Sequence, residues 1–285
     1  MNKIKPQYYV RLAPFILILA NIFFTGSFSI AKLMTKEVGI IVILLFRFLA
    51  GPIYLLPYSA FKKSSLKMND WGLLFFRVFC GVGAMASLFL SFKYGDIGKG
   101  ALIFELSILW TVFVDAIYLK QRLHWLTVVA IPVAFLGLFL VINPTNLLTL
   151  SMGDGFALLG SLFNTGVYIS LKKLRTTYST VALVFWTYAL AALILLVPAL
   201  NQLTLISMSH VKLLIIMSSI GIVGQLLMTL GFKFSQAGIS SLFMMSLIPF
   251  TTLAGIFIFD EVYTSLTLIG MSLIFGSLMV IAKYR

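Results

Sequence analysis

Charged side chains are scarce in this sequence. They make up 10% of the 285 residues, whereas a soluble domain typically carries about 25%. The mean hydropathy is correspondingly high, at +1.08, and 61% of the residues are hydrophobic. A soluble protein needs more charged residues than this on its surface. The composition therefore excludes a soluble globular fold.

The residue types that build disulfides, metal sites and hydrolytic centres are also rare. One cysteine, Cys80, has no partner for an internal disulfide, and the two histidines are His124 and His210. The sequence contains no H-E-x-x-H, no G-x-S-x-G and no glycine-rich phosphate loop with a lysine. We therefore predict that the chain is not an enzyme and holds no metal and no cofactor.

Long apolar runs, by contrast, are abundant. A helix needs about 20 such residues to cross ~30 Å of hydrocarbon. Ten runs of this kind are separated by charged, proline or glycine residues: Leu12–Met34, Val38–Phe61, Trp71–Phe92, Gly100–Leu119, Trp125–Ile142, Gly155–Leu171, Thr180–Ala199, Val211–Phe232, Ala237–Phe259 and Tyr263–Ala282. The pattern predicts an all-α polytopic membrane protein with ten transmembrane helices, a single membrane domain over residues 1–285.

The positive charges predict the orientation in the membrane. A net charge of +13 would indicate nucleic-acid binding in a soluble chain, but here the basic residues lie in short loops. We therefore predict the lipid bilayer as a partner and no nucleic acid. Of the 21 lysines and arginines, four lie in loops opposite the termini, three lie within spans, and the remaining 14 lie on the side of the termini. Because basic loops favour the cytoplasm, we expect a bacterial cytoplasmic (inner) membrane protein with both termini cytoplasmic.

The two halves of the chain align with each other without a gap. An offset of 140 residues places Ser91–Leu102 (SFKYGDIGKGAL) over Gly231–Leu242 (GFKFSQAGISSL). Glycine, phenylalanine and lysine occur at shared positions of the two segments. We call this pairing of positions the repeat alignment. It assigns the first five-helix repeat to residues 12–142 and the second to residues 155–283. Five is an odd number of spans, so the second repeat is inverted relative to the first. Two inverted repeats with a site at their interface are typical of secondary transporters.

A polar stripe occurs on the first helix of each repeat. Three positions of each stripe correspond in the repeat alignment: Asn21 with Ser161, Thr25 with Thr165, and Phe28 with Tyr168. Their spacings of four and three place each set on one helical face. Lipid does not stabilise polar side chains. The stripes therefore face either a cavity or a neighbouring helix to which they hydrogen-bond.

Three motifs resemble those of a known family. They are FFTGSFSIAK at Phe23–Lys32, LFRF at Leu45–Phe48, and SLIPFTTLAGIFIFDE at Ser246–Glu261. With them the chain resembles the drug/metabolite transporter superfamily, in particular its EamA-type ten-helix members. The first half departs from the pattern, with Leu109 in place of a proline and Lys120-Gln121 in place of Gly-Glu. The resemblance implies a central cavity lined by spans one to four and six to nine.

Charged residues within the spans fall at two depths. Arg47 and Glu105 lie nearer the outer end, and Arg77 and Asp115 nearer the inner end. We interpret Arg77 and Asp115 as a structural ion pair. For Arg47 and Glu105, a structural pair and a substrate site both remain open. An arginine suits a carboxylate and a carboxylate suits an ammonium, so this pair would accept a zwitterion of the amino-acid type. Glu105 is also the candidate for a coupling proton.

The predicted substrate-binding set joins this outer pair to polar and aromatic residues of the cavity spans. Aromatic rings stack on the ring or the cation of a ligand, although packing between helices also accounts for them. The set is Asn21, Thr25, Phe28, Arg47, Phe104, Glu105, Trp110, Thr165, Tyr168 and Trp186.

The sequence thus predicts a secondary active transporter that moves a small polar or amphipathic metabolite across the membrane by alternating access. The preferred substrate is an amino acid or an amino-acid derivative such as S-adenosylmethionine, which the resemblance implies for some relatives. The alternative is a proton-coupled exporter of hydrophobic cations, drugs or other metabolites, for which Glu105 is required and Arg47 is dispensable. The direction of transport stays open, as does the choice between a monomer and a homodimer.

Overall fold

The structure is a computed structural model that describes residues 6–62, 65–118, 124–142, 151–203, 206–234 and 243–284. Within these ranges the chain is helical, with short links and no strand. The described residues form eleven helices, numbered in chain order: α1 Pro6–Met34, α2 Ile40–Lys62, α3 Trp71–Tyr94, α4 Ile97–Phe104, α5 Ser107–Tyr118, α6 Trp125–Ile142, α7 Met152–Thr177, α8 Thr180–Leu203, α9 Met208–Phe234, α10 Leu247–Phe259 and α11 Ser265–Tyr284.

The helices have the lengths and surfaces of membrane spans. In the described part of the chain, α1, α2, α3, α8 and α9 are each long and apolar enough to cross a bilayer. Shorter apolar helices occur in α6, α10 and α11. Large apolar side chains such as Phe61, Val197 and Phe257 point outward and are 73–85% exposed, which a soluble protein avoids over an area this wide. The predicted all-α polytopic membrane fold is confirmed.

The packing of the helices follows the repeat. α1 packs on α9 and α3 packs on α7, and the repeat alignment exchanges these two pairs. Two further pairs, α2 with α8 and α6 with α11, join each helix to its own counterpart, while α4 packs on α10, the counterpart of α5. This arrangement is that of two inverted repeats around a two-fold axis, as the sequence predicts.

Small residues let α3 and α7 approach closely. A Cβ atom on Gly153 would lie 3.0 Å from the carbonyl oxygen of Ser91, and one on Gly83 would lie 3.0 Å from the ring of Phe163. Close contact of this kind holds helices together in lipid, where burial of apolar surface gives little driving force. It fixes one face of α7 against α3, beside the centre of the molecule.

The fourth span differs from its prediction. The apolar pattern predicts one continuous helix over Gly100–Leu119, but the span starts at Ile97 and is divided into α4 and α5. Glu105 and Leu106 form the turn between the two pieces. Apolar periodicity does not reveal such a turn, because the residues on both sides of it stay apolar.

The ninth span has the same break at the same place in the repeat. Residues 243–244 are helical, Met245 and Ser246 form a turn, and α10 then begins at Leu247. In the repeat alignment Met245 corresponds to Glu105. The beginning of the predicted span Ala237–Phe259 lies outside the described residues. Broken helices that face each other near the middle of the bundle are characteristic of transporters with inverted repeats.

Candidate functional site

A cavity of about 80 Å³ lies between the two repeats. Its walls come from α1, α2, α3, α7, α8 and α9 and from both broken spans, in agreement with the expectation for spans one to four and six to nine. The lining is mostly aromatic and apolar. Three charged side chains interrupt it, those of Arg47, Arg77 and Glu105.

Glu105 lies at the break between α4 and α5 and is 2% exposed. Its N–H still donates to the carbonyl oxygen of Ala101, at 3.0 Å, and the N–H of Leu106 donates to that of Ile103, at 3.2 Å. The chain therefore passes through a tight turn that fixes the direction of the Glu105 side chain. Its Oε2 accepts a long hydrogen bond from the hydroxyl of Tyr168, at 3.4 Å. A carboxylate accepts about four hydrogen bonds, so capacity remains for a ligand.

Polar side chains of α1 and α7 hold the two breaks. The Nδ2 of Asn21 donates to the carbonyl oxygens of Phe243 and Met244, at 3.0 and 2.8 Å. On α7, the Nδ2 of Asn164 donates to the hydroxyl of Ser107 at the start of α5, at 3.0 Å. Asn21, from the predicted stripe of α1, thus hydrogen-bonds to a neighbouring span, whereas Asn164 lies outside the predicted stripe of α7.

Arg47 on α2 is 2% exposed and lies among aromatic rings. Its Nη1 donates to the hydroxyl of Ser27, at 3.0 Å. Its guanidinium carbon lies 5.3 Å from the ring centre of Phe28 and 5.9 Å from those of Phe24 and Phe89. These distances suit cation–π attraction. The Nε of Arg47 has no hydrogen-bond partner among the described residues.

An ion pair of Arg47 with Glu105, one of the two alternatives that the sequence left open, is not formed. None of the described carboxylates lies within 4.0 Å of the Arg47 guanidinium. The guanidinium is instead directed towards α9, where Gly221 leaves space for it, since a Cβ there would lie 2.8 Å from Nη1. The similar depth of the two residues along their helices allowed such a pair, but depth does not determine the direction of a side chain around its helix.

Arg77 on α3 is 3% exposed and reaches across to α7 and α8. Its Nη1 donates to the carbonyl oxygen of Val167, at 3.0 Å, and its Nε to the hydroxyl of Thr187, at 3.3 Å. The side chain of Asp115 lies outside the described residues, so the predicted pair with Arg77 stays a prediction. In the described part of the chain, Arg77 is a wall residue of the cavity.

At one end of the bundle lies a group of contacts that we call the Lys32–Glu261 cluster, made of Lys32, Gly95, Ile97, Glu261 and Tyr263. The Glu261 carboxylate forms an ion pair with Lys32, accepts a hydrogen bond from the Tyr263 hydroxyl, and accepts another from the N–H of Ile97, at 2.8 Å. Lys32 also donates to the carbonyl oxygen of Gly95, at 3.1 Å. The cluster therefore connects the end of α1, the start of α4 and the link between α10 and α11.

Two acidic or phenolic groups at this end have shifted pKa values. Burial, followed by the nearby negative charge of Glu261, raises the pKa of Asp96 above its ordinary value. Burial and the hydrogen bond to Glu261 raise the pKa of Tyr263, so this hydroxyl keeps its proton and donates. A further ion pair, between Lys99 and Asp154 at 2.9 Å, joins α4 to the start of α7.

Comparison with known proteins identifies the family. The EamA-like transporter family matches the chain twice, over residues 11–143 and 151–283. The chain belongs to the EamA-like transporter family. It is 22% identical over 276 residues to the Pseudomonas aeruginosa protein named pseudopaline exporter CntI, covering 93% of each chain. It is also 23% identical over 239 residues to an uncharacterized transporter of Helicobacter pylori, covering 79% of this chain and 78% of that protein.

A solved crystal structure shares the fold of this EamA-like chain. The two align with a TM-score of 0.68 and 16% identity, over 94% of this chain and 95% of the other. The comparison shows the fold alone. Together with the family it establishes a multi-pass membrane protein and a transporter in the general sense, as the sequence predicts.

The structure divides the predicted substrate-binding residues of this EamA-like transporter into two groups. Those that line the cavity are Phe28, Arg47, Phe104, Glu105 and Tyr168. Those that lie away from it are Asn21, Thr25, Trp110, Thr165 and Trp186.

The residues of the second group contact protein. The indole of Trp110 donates to Ser161, at 2.9 Å, and that of Trp186 donates to the carbonyl oxygen of Leu66, at 2.7 Å. Thr165 donates to backbone carbonyl oxygens of α5 and α7, while the hydroxyl of Thr25 is buried with no partner among the described residues. An aromatic or polar residue on a cavity helix therefore does not by itself indicate a cavity contact.

Some residues of the site were missing from the predicted set. Tyr188 lines the cavity between α2 and α8, with its ring centre 5.1 Å from that of Phe48. Gly221 leaves space for Arg47. The one sequence feature that pointed to Gly221 is that glycine also occupies the corresponding position of the first repeat, Gly81. The pairing of Lys32 with Glu261 joins residues 229 apart. No local pattern predicts a contact over that separation.

Proposed function

We propose that this protein is a secondary transporter of small zwitterionic metabolites of the amino-acid type, working by alternating access. We place it in a bacterial cytoplasmic membrane with both termini cytoplasmic, because its basic loops lie on that side. One observation carries the proposal. Arg47, which is 2% exposed and has no carboxylate partner among the described residues, shares a cavity with Glu105.

A buried guanidinium without a counter-charge is costly, because desolvation is not repaid by an ion pair. The carboxylate of a bound substrate supplies that counter-charge, and a planar guanidinium binds it with two parallel hydrogen bonds. Glu105 offers the opposite charge, with a single hydrogen bond from Tyr168 among the described residues. An ammonium group fits there. The two sites together recognise the two ends of a zwitterion.

Transport also requires that the cavity open to each side of the membrane in turn. The Lys32–Glu261 cluster closes one end of the bundle, which the charge distribution places outside. The breaks at Glu105 and Met245 divide two spans into pieces that tilt separately, so motion is possible without unfolding a helix. In this scheme the cluster dissociates when the cavity opens outward, and the substrate is bound beside one of the breaks.

The aromatic lining favours a second candidate, an exporter of hydrophobic cations. Rings attract cations, and the cavity is rich in them. However, the rings of Phe24, Phe28 and Phe89 surround the guanidinium of Arg47, so a cation is already in place. The lining also contains two arginines and one glutamate. This excess of basic side chains repels a cationic ligand.

The test is counterflow into proteoliposomes with a panel of labelled amino acids and one hydrophobic cation. We expect wild-type protein to exchange amino acids, and Arg47→Met to reduce that exchange by at least tenfold, about the loss of a charge-assisted hydrogen bond. Arg47→Lys keeps the charge and is expected to retain part of the activity. Replacing a buried charge by an apolar residue of similar size often leaves folding intact, and size-exclusion chromatography checks this.

Two outcomes would contradict the proposal. One is exchange of the hydrophobic cation with no exchange of any amino acid. The other is full amino-acid exchange by Arg47→Met. The export activity named for the Pseudomonas relative supports measuring efflux first, with uptake as the second direction.

A further inference from the structure

The charged side chains of the cavity do not balance. Two basic side chains, Arg47 and Arg77, and one acidic side chain, Glu105, line the cavity, and each is at most 3% exposed. The described lining contains no other aspartate, glutamate, lysine or arginine. Charges this deeply buried need a compensating charge. A ligand that neutralises both arginines and pairs with the ionised form of Glu105 carries two negative charges and one positive charge.

The two arginines occupy related places in the repeat although they come from different helices. Arg77 donates to Val167 and Thr187. In the repeat alignment Val167 corresponds to Ser27, and Thr187 corresponds to Arg47. Arg47 itself donates to Ser27, whose hydroxyl donates to the carbonyl oxygen of Met217, at 2.9 Å.

Met217 in turn is the counterpart of Arg77 in the same alignment. The guanidinium of Arg47 therefore lies where α1, α2 and α9 meet. That of Arg77 lies where their counterparts α7, α8 and α3 meet. The two-fold axis of the fold relates the two guanidinium sites. If Arg47 binds a carboxylate, the related site has the geometry to bind another.

Both guanidiniums keep free donors. A guanidinium has five N–H groups. Among the described residues Arg77 uses two of its nitrogens, for Val167 and Thr187, and Arg47 uses one, for Ser27. The Nε of Arg47 is buried without a partner. None of the described carboxylates pairs with either side chain.

We propose that Arg77 is a second carboxylate-binding residue and that the preferred substrates are amino dicarboxylates, small molecules with two carboxylates and one ammonium. This proposal rests on the proposed function above, which requires one carboxylate at Arg47 and the ammonium at Glu105. Arg77 adds the second carboxylate on the opposite side of the two-fold axis. Cationic derivatives such as S-adenosylmethionine then fit less well than the sequence alone suggested, because they add positive charge to a cavity that already has an excess.

The test compares ligands that differ in a single charge. Proteoliposomes with wild-type protein are given labelled glutamate or glutamine, and aspartate or asparagine, since each amide has the shape of its acid without the second carboxylate. We expect exchange of the acids to exceed that of the amides by at least tenfold, the effect of one charge-assisted contact. Lysine serves as the cationic member of the panel.

Arg77→Met is then expected to abolish the preference, so that glutamate is exchanged no faster than glutamine. Arg77→Lys is expected to restore part of the preference. The matched control is Met217→Leu, which changes the counterpart position and is expected to leave both rates unchanged. The wild-type comparison needs no variant, so it decides the question even where Arg77→Met does not fold.

Each result has one meaning. Equal exchange of glutamate and glutamine by wild-type protein overturns the second carboxylate site and leaves the proposed function intact. Loss of all amino-acid exchange in folded Arg77→Met also overturns it, because Arg77 then acts on every substrate. Absence of exchange for every amino acid in wild-type protein overturns the proposed function itself.

Discussion

The two repeats build the same frame but contribute different charges. Arg47, Arg77 and Glu105 of the first repeat line the cavity, and the second repeat has Thr187, Met217 and Met245 at the corresponding positions. The Lys32–Glu261 cluster differs in the opposite sense. Its acid, Glu261, lies in the second repeat, and the corresponding residue of the first repeat is the uncharged Gln121.

This difference suggests two separate roles, in which the features shared by both repeats serve conformational change and the charges of one repeat serve substrate recognition. Both repeats have a broken span. Asn21 of α1 donates a hydrogen bond at the break of the ninth span, and Asn164 of α7 donates one at the start of α5, beside the break of the fourth span. Symmetry in these parts lets the molecule adopt two related conformations. We propose that recognition of one small ligand needs a single set of charges, because the charged side chains of the described cavity lining all belong to the first repeat.

The largest expected effect comes from removing the one carboxylate of the described cavity lining. Glu105→Gln is expected to lower amino-acid exchange in proteoliposomes by about 10- to 100-fold, because a hydrogen bond to a charged group contributes about 1.5–3 kcal/mol. The matched control is Met245→Leu at the break of the second repeat, which is expected to change exchange by less than about twofold. Equal losses in the two variants would mean that the break itself, and not the carboxylate, supports transport.

The number of spans, their order and the inversion of the repeat were predictable from the sequence, because they depend on apolar run length, loop charge and an alignment without gaps. The similar depth of Arg47 and Glu105 was predictable by counting along the helices, and a cavity between their spans was what the family resemblance implied. The broken spans were not, since the sequence LIFELSIL remains apolar on both sides of Glu105. The contacts of Trp110 and Trp186 were not predictable either, because they depend on rotation about the helix axis.

At the Lys32–Glu261 cluster the expected effect is on stability and not on exchange. Glu261→Gln leaves Lys32 without its ionic partner, and the two side chains are 4% and 12% exposed. We expect a loss of about 3 kcal/mol in the free energy of unfolding, as for other buried ion pairs that lose one partner, measured by thermal unfolding in detergent.

The control for this change is Glu37→Gln, which removes the pair with His210. The Glu37 side chain is 62% exposed, so its loss is expected to cost less than about 1 kcal/mol. If Glu261→Gln were no more destabilising than Glu37→Gln, the Lys32–Glu261 cluster would not be what closes this end.

The smallest effect is expected at Asp96, beside the same cluster. Its pKa is raised by burial and by Glu261, so the ionised form is less stable in the folded protein than in the unfolded chain. The wild-type protein should therefore gain stability as the pH falls through the raised pKa of Asp96. Asp96→Asn is expected to stabilise the protein slightly at pH 7, by less than about 0.5 kcal/mol, and this advantage should disappear at low pH. An advantage that is the same at both pH values would exclude Asp96 as its source.

The central claim is that charges of the first repeat bind the substrate within a symmetric frame. It is tested most directly by equilibrium binding of labelled glutamate to purified protein, comparing wild-type, Arg47→Met and Met217→Leu. We expect wild-type and Met217→Leu to bind alike and Arg47→Met to bind at least tenfold more weakly. Wild-type affinity in Arg47→Met, or an equal loss in Met217→Leu, would contradict the claim.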